Sequence, residues 1–189
     1  MSDPKPICVD LDGTLIFEDV TLLALKIFVR RNPLNLLKAL GWFLRGRAHL
    51  KKMLALNVDI DVGALNYNKK LLDFLKNKKQ EGHRLFLATA CDQRYAHKIA
   101  NFIPIFDGVF ASDGKINLRA NAKANTLEIM FGRNFIYAGN SVDDVMVWSK
   151  SAECILVNPT KSALRGMRGR RYLLLKDCRD PQKPAPKEF

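Results

Sequence analysis

Five short apolar runs, at residues 6–10, 84–89, 108–112, 135–139 and 154–157, limit the fold more than any other feature of the chain. Each is close to continuously hydrophobic rather than alternating with polar residues, the pattern of strands buried on both faces of a parallel sheet. Between the later runs lie stretches with helical spacing, 93–102, 123–131 and 142–150. Strand and helix therefore alternate, which predicts a layered α/β core with right-handed crossovers. A last apolar run at 172–175 predicts an extra edge strand.

The segment from Asp19 to Gln80 breaks that rhythm. It holds no convincing strand and reads as four helices, 20–31, 33–45, 48–57 and 64–79. Asp19 is placed as the N-cap of the first, and Pro33 suits the first turn of the second. The predicted organisation is a core of 1–18 and 82–176, a helical cap of 19–81 inserted after the first strand, and a flexible proline-rich tail or linker at 177–189. The second cap helix is unusually apolar, with Leu34, Leu36, Leu37, Leu40, Trp42, Phe43 and Leu44 interrupted by Lys38. It is too short to cross a bilayer. Two readings compete: packing inside the cap, or peripheral contact with an anionic membrane through its apolar face and its flanking Arg and Lys residues.

At 189 residues the chain suffices for one sizeable core and a small accessory unit. Its net charge of +12 creates a field that attracts polyanions, whether phosphorylated small molecules, lipid headgroups or nucleic acid. Nucleic acid is the weakest of these, because the basic clusters carry no interleaved aromatic residues, zinc finger or continuous basic helix. Cys8, Cys91, Cys154 and Cys178 form no C-x-x-C pair, and the first residues show no apolar signal region. These features predict a reducing, cytoplasmic setting, at the inner face of the membrane if the second cap helix is interfacial.

Four features fall at predicted strand ends, where open α/β sheets place ligands. Asp10 and Asp12, two residues apart in Asp10-Leu-Asp-Gly-Thr14, can both point into one cleft. One carboxylate can attack phosphorus while the other moves the proton. An ordinary acidic turn would look the same locally. Thr89, followed by Ala90, ends the second run, where a hydroxyl and nearby N–H groups can hold phosphoryl oxygens; strand-end capping is the simpler role. Lys123 opens a helix and can neutralise phosphate charge. Gly139-Asn-Ser-Val-Asp-Asp144 supplies hard oxygen donors suited to Mg2+, or an N-cap cluster for the next helix.

In this order the set resembles the haloacid-dehalogenase-like (HAD) hydrolase superfamily, phosphatase branch. The D-x-D-x-T signature stands as Asp10, Asp12 and Thr14, the Thr/Ser motif as Thr89, the lysine motif as Lys123 and the final acidic loop as Gly139 to Asp144. The resemblance implies a Rossmann-like three-layer core, a cap over the site, and Mg2+ bound by Asp10, the Asp12 backbone carbonyl, Asn140 and Asp144. It implies Asp10 as the nucleophile, Asp12 as acid and then base, and Thr89 and Lys123 holding the phosphoryl group. Thr14, Ala90 and Asp19 are candidate substrate contacts, Asp19 with helix capping as its competing role. The second acid, Asp12, favours phosphoryl transfer over carbon–halogen cleavage. One position departs from the family pattern G-D-x-x-x-D: its first acid is Asn140 here, which should weaken Mg2+ binding. More narrowly, Pro6 to Leu15, the Arg31-Asn-Pro33 junction, Leu87 to Ala90 and Ala111 to Gly114 resemble the domain fused ahead of UbiA-type prenyltransferases. The expected function is a Mg2+-dependent phosphomonoester hydrolase with an aspartyl-phosphate intermediate, acting on a phosphorylated sugar or isoprenoid-linked substrate, in association with a membrane prenyltransferase. The alternative is a catalytically weakened domain that docks on a membrane or partner.

Overall fold

Ile7–Val9 (β1) is buried on every side, and its alternating side chains reach two different cores. Ile7 and Val9 join one apolar cluster and Cys8 the other. A strand with period two can do this only with a packed layer on each face. The computed structural model describes residues 3–176; the expected tail at 177–189 and Cys178 lie outside them.

After β1 come Val20–Arg31 (α1), Asn35–Leu44 (α2), Arg47–Asn57 (α3), a short turn at Val62–Ala64 and Lys69–Gln80 (α4). The alternating half follows: Leu85–Asp92 (β2), Gln93–Phe102 (α5), Gly108–Ser112 (β3), Asn121–Phe131 (α6), Ile136–Gly139 (β4), Asp144–Trp148 (α7), Glu153–Val157 (β5), Lys161–Gly166 (α8) and Leu173–Leu175 (β6). The six strands among the described residues are all parallel, in the order β3-β2-β1-β4-β5-β6. The expected three-layer α/β architecture is the one observed. Because β2 lies on one side of β1 and β4 on the other, the chain reverses direction at β1, and the crevice at the carboxyl ends of β1 and β4 is the place for a ligand.

Side-chain caps set several helix starts: Asp19 accepts from the Leu22 N–H at 2.8 Å, Asn68 from Leu71, Asp92 from Arg94 and Thr160 from Ala163. The Asn68 cap explains why α4 begins at Lys69 and not at 64. α7 is shorter than the predicted 142–150, since Asp144 is tied back to the residues before it. α8 has no counterpart among the predicted helices, its six residues being too few for a periodic signal. α1, α2 and α3 pack on one another. α4 differs: its Leu71 and Leu75 are fully buried in the cluster that holds Ile7 and Leu85, so it lies against the sheet. No helix among the described residues is long and apolar enough to cross a membrane.

Candidate active site

The chain leaves β1 at Asp10, whose N–H is held by the Ala138 carbonyl at 2.9 Å. It then winds tightly, with the N–H groups of Thr14, Leu15 and Ile16 all directed at the Leu11 carbonyl. Gly13 sits at φ +75°, and a β-carbon there would collide with the Asn140 side chain, so both the backbone angle and the space demand glycine. The winding aims Asp10 and Asp12 into a cavity of about 630 Å3 at the sheet's switch point, whose lining also includes Asp19, Ala90, Lys123 and Asp144.

Lys123, in the first turn of α6, is 4 % exposed. Its Nζ donates to Asp10 Oδ1 at 2.6 Å and to the Tyr137 hydroxyl at 2.9 Å. Tyr137 in turn donates to Asp144 Oδ1 at 2.7 Å. The other Asp144 oxygen accepts from the N–H groups of Asn140 and Ser141 and from Ser141 Oγ at 2.9–3.0 Å. A continuous, largely buried polar line therefore runs from Asp10 through Lys123 and Tyr137 to Asp144. Burial alone would lower the Lys123 pKa, but the Asp10 and Asp144 carboxylates outweigh it and the pKa is raised.

The two carboxylates of the first loop sit in different surroundings. Burial pushes Asp10 upward, Lys123 pulls it back, and Asp144 adds to the rise. Among the described residues Asp12 has no ion-pair partner, Lys51 acting on it only from a distance; it accepts from the Val20 N–H at 2.8 Å. Burial first, then the negative charge of Asp19, raises it to about 7. A carboxyl that titrates near neutrality can give up and take back a proton at working pH, while its neighbour faces a fixed cation.

Thr14 lies under the cavity floor, fully buried, with its Oγ1 3.3 Å from Asp10 Oδ2. Thr89 is also fully buried, and its Oγ1 accepts from the Cys91 N–H at 3.0 Å. Unlike Ala90, it is not part of the cavity lining; β2 continues past it to Asp92, so its hydroxyl serves a local backbone contact within the strand and not at a strand end. Asp19 is in both of its expected places, capping α1 and lining the mouth. Asn140 packs beside Gly13.

Three polar residues of the site were not expected in it; one of them, Lys51, was expected among the membrane-facing cations that flank the second cap helix. Lys51 of α3 reaches the Ala90 carbonyl at 2.5 Å and Asn117 Oδ1 at 2.9 Å, and burial lowers its pKa. Arg119 pairs with Asp143 at 2.5 Å on the cavity wall. Tyr137 was hidden as one more β-former in an apolar run; its hydroxyl, within an otherwise apolar strand, is the only signal.

Among the described residues no cluster of three or more His, Cys, Asp or Glu side chains has the arrangement of a metal site. Asp144, expected as a ligand, accepts four hydrogen bonds through its two oxygens, whereas Asp10 accepts from Lys123 and, at 3.3 Å, from Thr14. Asp10 is thus the freer carboxylate, beside the Asn140 amide oxygen and main-chain oxygens of the first loop. One carboxylate with neutral oxygens and waters is a donor set that fits Mg2+, which rarely takes a full protein cage.

No protein-family model matches the chain. The uncharacterized protein y4nM of Sinorhizobium fredii (strain NBRC 101917 / NGR234) is 34 % identical over 152 residues, covering 80 % of this chain but 30 % of that protein. The chain thus spans less than a third of this relative's length. Among solved structures, a Bordetella pertussis Tohama I protein of unknown function superposes with a TM-score of 0.70 at 14 % identity, covering 92 % of this chain and 99 % of that one. A HAD-family hydrolase of Salmonella enterica serovar Typhi gives 0.64 at 15 % identity, over 86 % and 66 % of the two chains. A phosphoserine phosphatase carrying a phospho-aspartyl intermediate analogue gives 0.64 at 16 % identity, over 92 % and 94 %. At these identities the likeness is one of fold: the sheet and its flanking helices match the HAD Rossmann-like architecture.

Proposed function

We propose that this chain is a phosphomonoester hydrolase in which Asp10 is the nucleophile and Asp12 the proton carrier. One observation carries the reading: a buried carboxylate held 2.6 Å from a buried ammonium shares a cavity with a second carboxyl that titrates near 7. In the first step an Asp10 oxygen attacks phosphorus, the bond from phosphorus to the leaving oxygen breaks, and protonated Asp12 gives that oxygen its proton. In the second, Asp12 takes a proton from water, whose oxygen attacks the aspartyl-phosphate; the acyl–phosphate bond breaks and Asp10 is restored.

Lys123 offsets the repulsion between an anionic nucleophile and an anionic substrate, and Tyr137 with Asp144 fixes its position. Mg2+, held by Asp10, the Asp12 carbonyl and Asn140, would supply further stabilisation of charge on the phosphoryl oxygens. With Asn140 in place of an acid, that site is weak in charge but not in oxygen donors.

The helical side of the cavity adds Leu22, Leu25, Phe43 and Leu50, with Arg47 and Lys51 among them. Apolar walls with cations suit an amphipathic phosphate, which supports a phosphorylated sugar carried on an isoprenoid or a similar lipid-linked substrate. In this reading the cap is α1 to α3, with α4 assigned to the core. The resemblance to the domain fused to UbiA-type prenyltransferases belongs to the same proposal, as does association with such a membrane enzyme. The test is p-nitrophenyl phosphate turnover in Mg2+ by wild type and Asp10→Asn. Loss of about a thousandfold or more is expected for a missing nucleophile; equal rates overturn the assignment. A panel of sugar, amino-acid and polyprenyl phosphates then ranks substrates.

A further inference from the structure

Helix α2 is turned with its apolar side outward. On a 3.6-residue helix, Leu36, Leu37, Leu40, Phe43 and Leu44 share one half of the surface and Asn35, Ala39 and Trp42 the other. The second set faces the body of the protein: Asn35 and Ala39 are buried, Asn35 donates from Nδ2 to the Phe28 carbonyl at 2.9 Å, and Trp42 stacks on Phe28. The leucine half is left in water, with Leu37 68 % and Leu44 78 % exposed. A soluble surface does not gather its largest side chains in this way without something to cover them.

The charge around the patch says what covers it. No Asp or Glu occurs between Asp19 and Asp59, while Lys26, Arg30, Arg31, Lys38, Arg45 and Arg47 are all exposed there. We infer that the outward face of α2 docks this protein on the surface of an anionic lipid bilayer, its leucines in the acyl boundary and the surrounding cations among the headgroups. At ten residues α2 cannot cross the bilayer and lies in its plane. A second copy of the chain fits less well, because an isologous contact through α2 would bring together two basic surfaces with no acid between Asp19 and Asp59 to answer the cations of either. Phe43 belongs both to the outward half and to the wall of the candidate active site, so docking brings the cavity mouth to headgroup level. The inference stands apart from the hydrolase reading, since vesicle binding needs no turnover.

The intact chain is sedimented with vesicles of phosphatidylcholine alone and of phosphatidylcholine mixed with phosphatidylglycerol, at low and at physiological salt, and its mass is measured in solution without vesicles. Pelleting with the mixed vesicles, weaker in high salt and on phosphatidylcholine alone, is the expected result. Leu37→Glu/Leu40→Glu should reduce the bound-to-free ratio at least about tenfold, and Lys38→Glu/Arg45→Glu by a comparable factor. Neither pair lines the cavity, so p-nitrophenyl phosphate turnover and circular dichroism serve as controls on folding. Absence of pelleting with the mixed vesicles, undiminished pelleting of both variants, or a dimer that the leucine variant dissociates would overturn the inference.

Discussion

The switch-point cleft and the α1–α3 packet treat their awkward side chains in opposite ways. In the cleft, Lys123 and Asp144 are buried and both are answered: Lys123 by Asp10 and Tyr137, Asp144 by Tyr137, Ser141 and the Asn140 N–H. In the packet, apolar groups are exposed and left unanswered, with Leu34, Leu36, Leu37, Leu40 and Leu44 each more than half accessible. The first arrangement raises the cost of losing any one member, because a buried charge without its partner is expensive. The second places little folding energy on the residues that face out. Substitutions should therefore separate the two regions sharply in stability as well as in function.

The sharpest break should come from Lys123→Met. It leaves Asp10 and Asp144 as buried carboxylates with no countercharge, and about 3–5 kcal/mol of stability is expected to be lost. Urea unfolding monitored by circular dichroism measures it. Turnover should fall with it even where the variant remains folded; an unchanged unfolding midpoint would mean that the buried line is not the support described. Next comes Tyr137→Phe, which removes only the hydroxyl between Lys123 and Asp144. A loss of roughly 1–3 kcal/mol is expected for the acceptor and donor left unpaired. Its kcat should fall more than its KM rises, because the change misplaces Lys123 without touching the apolar wall that binds the rest of a substrate.

Much of the cleft was legible in the sequence because of a topological rule, not because of any single residue. Parallel strands with right-handed crossovers put every strand end on the same side, so Asp10, Lys123 and Asp144 had to approach one another wherever the loops led. The rule fixes loops and says nothing of side-chain direction. Thr89 ends the predicted run but lies inside the longer observed strand and turns its hydroxyl to the Cys91 N–H, and Tyr137 points its own into the site from a run that reads as core. Arg119 was lost among 31 basic residues, and Lys51 reads as one more cation beside the apolar cap helix until the fold brings α3 over Ala90. For α2 the apolar arc was visible, but whether it faced inward or outward was not: periodicity gives the arc, and the neighbours Phe28 and Trp42 decide its direction.

A subtler separation concerns Asp12. Its folded pKa near 7 lies above the ordinary carboxylate value of about 3.9. The folded protein therefore binds the Asp12 proton more tightly than the unfolded chain does. Stability from this group is present at low pH and lost as pH rises from about 4 to about 7. Asp12→Asn removes that loss, so its melting temperature should exceed that of wild type at pH about 8 and match it at pH about 4, while turnover collapses. In the wild type, kcat/KM should decline above pH about 7, where Asp12 no longer carries the proton for the leaving oxygen. A variant less stable than wild type at alkaline pH would show that Asp12 is held by favourable contacts instead, and would remove the basis for assigning it the proton.

The smallest effect should fall on the outer half of α2. Leu40→Glu replaces a side chain that is 54 % exposed, and surface changes of this kind stay within about 0.5 kcal/mol. Urea midpoints for wild type and variant should coincide, in contrast to the several kcal/mol expected at Lys123. If Leu40→Glu proves as costly as Tyr137→Phe, then α2 packs inward in solution and its leucines belong to the core of the packet. The contrast between the two regions would disappear with that result, because both would then bury the side chains that look least at home on a surface.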